Sequence, residues 1–400
     1  MGFHRRLLEV LNALGELGVR ITLAGVSSGD WSGSGWEGVT TASPDLYKGH
    51  WSDRYAVAFA VRWDRLRGRR DRLPPLAERW SASPPAMWWW FRHLVARERP
   101  TLVLVNHVYW ADLPSRLRQR RYVRVLDIID VMSAQVAMRA LLDEAMPSRP
   151  VSSQTNARRA LEESFFDVVP TDPARWELHK YSRYDLVLAI TEDEAQAISR
   201  LSPRQRVAAV PMTASVSSQP SSYDGGALFP AGPNPFNVQG YLYFIQRVFP
   251  LLADEVPDFV LDVTGASCDD IAPEPGVVLH GLLPDLETLY AHARMAICPL
   301  IGGTGQKVKI VDAMAHGVPT VTLAHGARGS PIEHERNGFV ARDANEFAHY
   351  VRLLWRDQEL CVTLGAAARE TIDRDFSPSN LAGRLRRLLF DPDDDRGFSH

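Results

Sequence analysis

Apolar side chains recur at spacings of three and four over residues 4–18, at Leu7, Leu8, Leu11, Leu14 and Leu17. That period predicts a helix, and Gly18 ends it. Residues 19–24 predict a short strand. Helix, glycine turn and strand form the second half of a βαβ unit, so the N-terminal sheet is expected to lack its first strand. Residues 27–55, rich in Gly, Ser and Trp, read as irregular loop. Apolar runs of strand length follow at 101–105, 122–126, 186–190 and 207–210. The third leads into Thr191-Glu192-Asp193-Glu194, a capping-box start to a helix.

The stretch 211–226, with Pro211, Pro220 and Gly225-Gly226, reads as a linker. The pattern then restarts. Strands are predicted at 227–229, 259–265, 277–281, 295–300 and 319–323, with helices at 238–253, 284–293, 306–316, 344–356, 359–373 and 378–389. Strands alternating with helices imply parallel sheets covered on both faces. The expected fold is therefore α/β, with two Rossmann-like domains facing across a cleft. Their bounds are 1–212 and 225–376, and a helix at 377–390 packs back on the N-terminal domain. In open α/β sheets ligands bind beyond the carboxyl ends of the strands, so residues just after strands are the candidates for chemistry.

Composition narrows the picture. A length of 400 residues suits two domains, and 45% hydrophobic with 23% charged residues excludes disorder as the main state. No apolar run reaches the roughly 18 residues of a membrane span. The first residues carry no apolar stretch of secretory type. Cys268, Cys298 and Cys361 lie too far apart for a disulfide framework or a metal spacing. A cytoplasmic protein with no metal and no resident cofactor is expected. The net charge of −3 divides into +6 over residues 1–215 and −9 over 216–400. Only four of the 45 basic residues are lysine, which makes Lys307 and Lys309 stand out.

Those two lysines follow a strand and a glycine-rich loop. Gly302, Gly303 and Gly305 let the backbone turn tightly and approach a ligand. The next helix offers unpaired N–H groups and the positive end of its dipole, which suits a phosphate. Two residues apart on a helix, Lys307 and Lys309 face different ways, so one is expected to reach the anion and the other to lie on a flank. Asp312, further along, can accept hydrogen bonds from sugar hydroxyls. The structural alternative is a surface loop with two solvated lysines.

Residues 302–319, Gly-Gly-Thr-Gly-Gln-Lys-Val-Lys-Ile-Val-Asp-Ala-Met-Ala-His-Gly-Val-Pro, resemble the donor-binding motif of GT-B glycosyltransferases of family-4 type, in the Gly-x-Gly-x-Lys-x-Lys subgroup. Further likeness lies in Phe229 through Asn234, in Leu279-His280-Gly281 with Leu289-Tyr290, and in Gly326 through Val340. The resemblance spans roughly 100–390. It implies a hexosyltransferase-like enzyme of glycan or glycoconjugate biosynthesis that takes a UDP-, GDP- or dTDP-sugar as donor, works without metal and retains anomeric configuration. It implies that Gly302, Gly303, Thr304 and Gly305 hold the donor diphosphate with Lys307 or Lys309. Asp312 would hydrogen-bond the ribose, His280 and Gly281 would pass near the base, and Asn234 would open the C-terminal domain's first loop. The family's first motif glutamate falls at Thr304. The basic pair that many members carry after the first C-domain strand is replaced by Pro233-Asn234-Pro235-Phe236-Asn237, and Ile129 stands where a histidine is often found.

On the acceptor side, His107 follows a strand, and Asp127 and Asp130 follow the next one. His107 and Asp130 are the catalytic candidates, with structural hydrogen bonding and helix capping as their alternatives. Gly2-Phe3-His4-Arg5 is similar to the end of the family's N-terminal Gly-x-x-Arg loop, which makes Gly2 and Arg5 acceptor-binding candidates. Residues 62–91 combine six arginines in 62–72 with Trp88-Trp89-Trp90. That mixture suits peripheral contact with an anionic membrane at its inner face, against the alternative of a solvated basic loop over buried aromatics. No nucleic-acid motif appears. Two other readings are a catalytically inactive GT-B protein that binds a nucleotide sugar or a partner, and a nucleotide-sugar epimerase on the same fold, whose motif is not matched.

Overall fold

The computed structural model describes residues 2–24, 39–42, 85–115, 122–145, 172–253, 255–272 and 274–391. The strands are β1 (Ile21–Ala24), β2 (Val39–Ala42), β3 (Leu102–Asn106), β4 (Val123–Asp127), β5 (Leu186–Ala189), β6 (Val207–Ala209), β7 (Ala227–Pro230), β8 (Leu261–Thr264), β9 (Val277–Gly281), β10 (Met295–Cys298), β11 (Thr320–Leu323) and β12 (Gly338–Ala341). The helices are α1 (Gly2–Glu16), α2 (Pro85–Glu98), α3 (Asp112–Ser115), α4 (Met132–Ala145), α5 (Arg175–Tyr181), α6 (Glu192–Leu201), α7 (Pro235–Tyr243), α8 (Glu287–His292), α9 (Val308–Ala315), α10 (Ala324–Ala327), α11 (Ala344–Arg356), α12 (Gln358–Asp375) and α13 (Pro378–Phe390).

By contacts the chain divides into two units. The N-terminal unit comprises Phe3–Ser133, Asp172–Val210 and Ala382–His400; the C-terminal unit comprises Met1–Gly2, Ala134–Thr171 and Pro211–Leu381. Both are α/β with parallel sheets, as the alternating pattern predicts.

In the C-terminal unit six parallel strands run in the order β12-β11-β10-β7-β8-β9. All four residues of β10 are buried, as expected for a strand covered on both faces. Successive side chains alternate between the faces. Leu228 and Ala296 pack with Tyr290, Ala313 and Val318, while Phe229 and Ile297 join the larger core around Phe244, Val311 and Phe347. Asp343 and Asp357 start α11 and α12 by accepting the N–H groups of Glu346 and Leu360, at 2.8 and 2.9 Å. The stretch 211–226 is docked on this unit. The Ala214, Ser217 and Ser222 N–H groups donate to the Phe376, Ala315 and Ala291 carbonyls, and the Tyr223 hydroxyl donates to Gly317 O at 2.9 Å. Its Pro, Gly and Ser content marks a chain without regular structure of its own, and that chain still satisfies its backbone groups.

In the N-terminal unit four parallel strands run β3-β4-β5-β6, and β1 and β2 pair in parallel as a separate two-stranded sheet among the described residues. Strand β2 lies inside the stretch that composition alone assigns to irregular loop. It is four residues long and surrounded by Gly, Ser and Trp, so its period is too short to read. The capping box at Thr191 forms, with Oγ1 accepting from Glu194 N at 3.2 Å. Buried Glu177 accepts the N–H groups of Met132 and Ser133 at 2.9 and 3.0 Å and so caps the start of α4. In α13, Arg384 Nη1 donates to the Ala209 carbonyl of β6 at 3.4 Å.

Candidate functional site

The glycine loop leaves the end of the buried central strand β10 and enters α9. Gly302 has no room for a side chain: a Cβ there would overlap Leu142 Cδ1 of α4 and stand 2.9 Å from the Phe236 ring. Gly303 and Gly305 adopt φ of 112° and 67°, conformations that a side chain resists. The Gly303 N–H points at Met138 Sδ of α4. The loop is thus seated against two apolar side chains that no local sequence pattern connects to it.

Lys307 and Lys309 diverge, as their spacing demands. Lys307 turns back into its own loop. Its ammonium lies 3.0, 3.4 and 3.1 Å from the carbonyl oxygens of Gly303, Thr304 and Gly305. Lys309 reaches across to the first turn of α7, where it donates to Asn237 Oδ1, and sits 4.4 Å over the Phe229 ring of β7. Burial lowers the Lys309 pKa to about 8; Lys307 contributes in the same direction and Cys298 opposes it. Lys309 therefore brings a cation to the segment after the first C-domain strand, where this chain carries Pro and Asn.

Around it, Asn234 caps α7 by accepting the Phe236 N–H at 3.1 Å, and Asn237 Nδ2 donates to Gly232 O at 2.8 Å. On β9, His280 Nε2 lies 2.7 Å from Asp262 Oδ1 of β8. Gly281 has φ 67°, and its carbonyl accepts from Gly265 N at 2.7 Å. Asp312 is half-buried on α9. One turn on, His316 stacks on Tyr290 with centroids 4.3 Å apart, and its Nε2 lies 3.2 Å from Glu287 Oε1. Thr304 occupies the loop at the motif-glutamate position. The C-terminal unit thus gathers Gly302, Gly303, Thr304, Gly305, Lys307, Lys309 and Asn234 around one loop pair, and holds His280, Gly281 and Asp312 at neighbouring strand and helix positions.

Sequence reasoning passes over His325. It stands on α10, directly after β11, and is 4% exposed. Its Nε2 lies 2.9 Å from Gly303 O, and burial followed by the charge of Lys307 brings its pKa down to about 3. The signal available was only its place after a strand.

The N-terminal unit holds Arg5, His107 and Asp130 of the acceptor-side candidates. Arg5 pairs with Glu9 one turn along α1, at 2.9 Å. Its neighbour Arg6 is fully buried and makes a two-point ion pair with fully buried Asp127, Nε to Oδ2 at 3.0 Å and Nη2 to Oδ1 at 3.2 Å. Asn106 Nδ2 adds a bond to Oδ2 at 3.1 Å. The helical period could have found this: Arg6 lies four residues before Val10 and seven before Ala13, on the buried face, and Arg5 shares the outer face with Glu9. Gly2 begins α1, and nothing is described of its surroundings.

His107 follows β3 with φ 82° and stacks on Tyr109 at 4.4 Å. Its Nδ1 accepts from the Tyr109 N–H at 3.3 Å. Burial lowers its pKa to about 4, with Asp127 opposing and Lys180 assisting, so the ring is neutral at physiological pH. Asp130 is half-buried just before α4. Of residues 62–91, only 85–91 are described; there Met87 and Phe91 are buried and Trp89 is 56% exposed beside His93. Among the described residues no cluster of three His, Cys, Asp or Glu side chains is arranged to hold a metal ion, and no helix is long and apolar enough to cross a membrane.

Comparison with known proteins places this geometry. Residues 227–357 match the family model for glycosyl transferases group 1. The chain is 28% identical over 227 residues to a GDP-mannose-dependent alpha-(1-6)-phosphatidylinositol monomannoside mannosyltransferase of Mycobacterium tuberculosis, covering 55% of this chain and 52% of that protein. The chain spans between about a sixth and about half of the length of the curated relatives it matches. Among solved structures, the sucrose-phosphate synthase of Thermosynechococcus elongatus superposes with a TM-score of 0.64 at 16% identity, over 96% of this chain and 92% of that one. The Anabaena HepE protein, in complex with UDP and glucose, gives 0.60 at 14% identity over 96% and 95%. At such identities the likeness speaks for the fold, and the fold is GT-B.

Proposed function

We propose that this chain, in which residues 227–357 form a glycosyl transferases group 1 domain, moves a sugar from a nucleoside-diphosphate donor to an acceptor in glycan or glycoconjugate assembly. The observation that carries the reading is the β10–α9 loop: glycines at φ 112° and 67° after the buried central strand, a helix start behind them, and a partly dehydrated Lys309 opposite Asn237. The diphosphate sits on the loop and helix start, Lys309 meets its charge, Asp312 takes the ribose, and His280 and Gly281 flank the base. In the transfer the bond between the sugar's anomeric carbon and the phosphate oxygen breaks, and its electron pair leaves on the diphosphate. The acceptor hydroxyl oxygen forms the new bond to the anomeric carbon, and its proton passes to the departing diphosphate oxygen. Preformed N–H dipoles and a cation are worth most where that leaving charge develops. As the resemblance to family-4 GT-B enzymes implies, we assign a reaction without metal and with retention. His107 and Asp130 are assigned to the acceptor side, with Arg5 and Gly2 at the opening of α1.

The relatives support a nucleotide-sugar donor: one is named for GDP-mannose and one structural neighbour is described with UDP and glucose. Incubation with GDP-mannose, UDP-glucose and dTDP-glucose, with and without a chelator, tests the reading; proton NMR of the product reads its anomeric configuration. Binding and chelator-insensitive turnover of one donor is expected, and no binding of any of the three overturns it. Thr304, at the motif-glutamate position, favours a second reading, a protein that binds nucleotide sugars without turnover. Binding without any product in the same experiment would select it. We also place the chain at the cytoplasmic face of a membrane, with Trp89 of α2 and the arginines of 62–72 as the contact. Sedimentation with phosphatidylglycerol vesicles, absent with neutral ones and lost at high salt, is the expected result.

A further inference from the structure

Two hydrogen-bond donors converge on the inner side of the 302–307 loop. The Lys307 ammonium addresses three successive carbonyls, those of Gly303, Thr304 and Gly305, at 3.0 to 3.4 Å. The His325 imidazole addresses the first of them from α10, at 2.9 Å. A carbonyl only accepts, so the neutral ring carries its proton on Nε2. Both side chains are buried, at 7% and 4% exposure. A trans peptide group is planar, with its N–H opposite its C=O. Carbonyls of 303, 304 and 305 that face Lys307 therefore turn the N–H groups of Thr304, Gly305 and Gln306 the other way. The positive φ values of Gly303 and Gly305 make this possible.

We propose that Lys307 and His325 are positioning residues for the donor anion: they hold the loop's carbonyls on its inner side, so that the amides of 304–306 face the bound diphosphate. This rests on the donor reading above and divides the work of the lysine pair. Lys309 meets the anion; Lys307 orients the backbone that meets it.

The test uses the whole chain, with GDP, UDP and dTDP as probes in calorimetry at several salt concentrations, and amide hydrogen exchange of the loop without ligand. Lys307→Met is expected to weaken binding of whichever diphosphate the unaltered chain takes by about tenfold or more, the scale of a lost charge-assisted hydrogen bond. The salt dependence of the remaining binding stays as in the unaltered chain, because no contact with the anion has gone. Lys309→Met flattens that dependence. Exchange of the 304–306 amides rises in Lys307→Met and His325→Leu, while His325→Gln, which still offers an N–H to Gly303 O, restores both exchange and affinity. A salt dependence flattened equally by both lysine substitutions, or loop exchange unchanged in Lys307→Met, overturns the proposal. If the unaltered chain binds neither GDP nor UDP nor dTDP, the donor reading itself fails, and the exchange result still reports whether Lys307 orders the loop.

Discussion

The two units use polar groups in opposite ways. At the glycine loop of the C-terminal unit, charge and dipole are assembled from residues within a few positions of one another, and Lys309 is held over Phe229 and donates to Asn237 Oδ1. At the strand ends of the N-terminal unit, the strongest charges already neutralise each other: Arg6 and Asp127, 121 positions apart, are locked in a buried two-point pair. The first arrangement has cations and amides to offer an incoming anion. The second is a brace that fixes α1 against the ends of β3 and β4. A charged residue after a strand is thus a candidate ligand only if the fold has not already given it a partner.

The largest expected effect breaks the brace. Arg6→Met leaves the Asp127 carboxylate buried with Asn106 alone, and should cost about 3–5 kcal/mol of stability, the usual penalty for orphaning one side of a buried pair. Arg5→Ala removes only an i,i+4 surface pair with Glu9 and should cost less than about 0.5 kcal/mol. Urea unfolding of both variants makes the measurement. Equal losses would mean that Arg6 and Asp127 contribute no more than a surface contact.

The same contrast explains what the sequence could reveal. The C-terminal unit was legible because its signals are local: glycines before a helix and a buried apolar run in β10. Parallel strands buried on both faces leave continuous apolar runs, which mark them clearly. The partners of the loop were not legible, because Met138, Leu142 and His325 reach it from elements far away in the chain. The buried pair of Arg6 was not read from the sequence, although the phase of α1 places Arg6 inward with Val10 and Ala13. Strand β2 escaped because four residues carry too little period to be seen.

A smaller effect sharpens the loop side of the contrast. Gly302→Ala forces a methyl group against Leu142 and Phe236, and overpacking of this kind costs about 1–3 kcal/mol. In a Leu142→Ala background the same change should cost less, because the overlapping Cδ1 is gone. A double-mutant cycle by thermal unfolding measures that coupling. Strict additivity would show that the loop is not seated on α4. Smaller again is the pH dependence of nucleotide affinity. The Lys309 ammonium loses its proton as pH rises through about 8, so diphosphate binding should weaken from pH 7 to pH 9. Lys309→Arg, cationic throughout, should remove that decline in calorimetry. Its neighbour Lys307 lowers the same pKa and Cys298 raises it, so Lys307→Met should move the decline to higher pH.

The smallest expected difference sets one histidine of each unit against the other. An unfolded chain protonates histidine near 6.5, whereas folded His107 and His325 do so only near about 4 and about 3. Between those values the unfolded state binds more protons, so stability falls as pH is lowered from 6.5. His325→Gln keeps the N–H to Gly303 O and removes the titration. The stability lost between pH 7 and pH 5 should therefore shrink by about 2 kcal/mol, since each of the roughly 1.5 pH units below 6.5 is worth about 1.4 kcal/mol. His107 is only half-buried and faces Asp127, which resists the lowering, but its folded value also lies below pH 5, so His107→Gln should recover nearly as much. Urea unfolding at the two pH values compares them. A larger recovery at His107 would reverse the ranking of the two sites by burial, and would mean that the Asp127 charge, paired with Arg6, does little to hold the His107 pKa up.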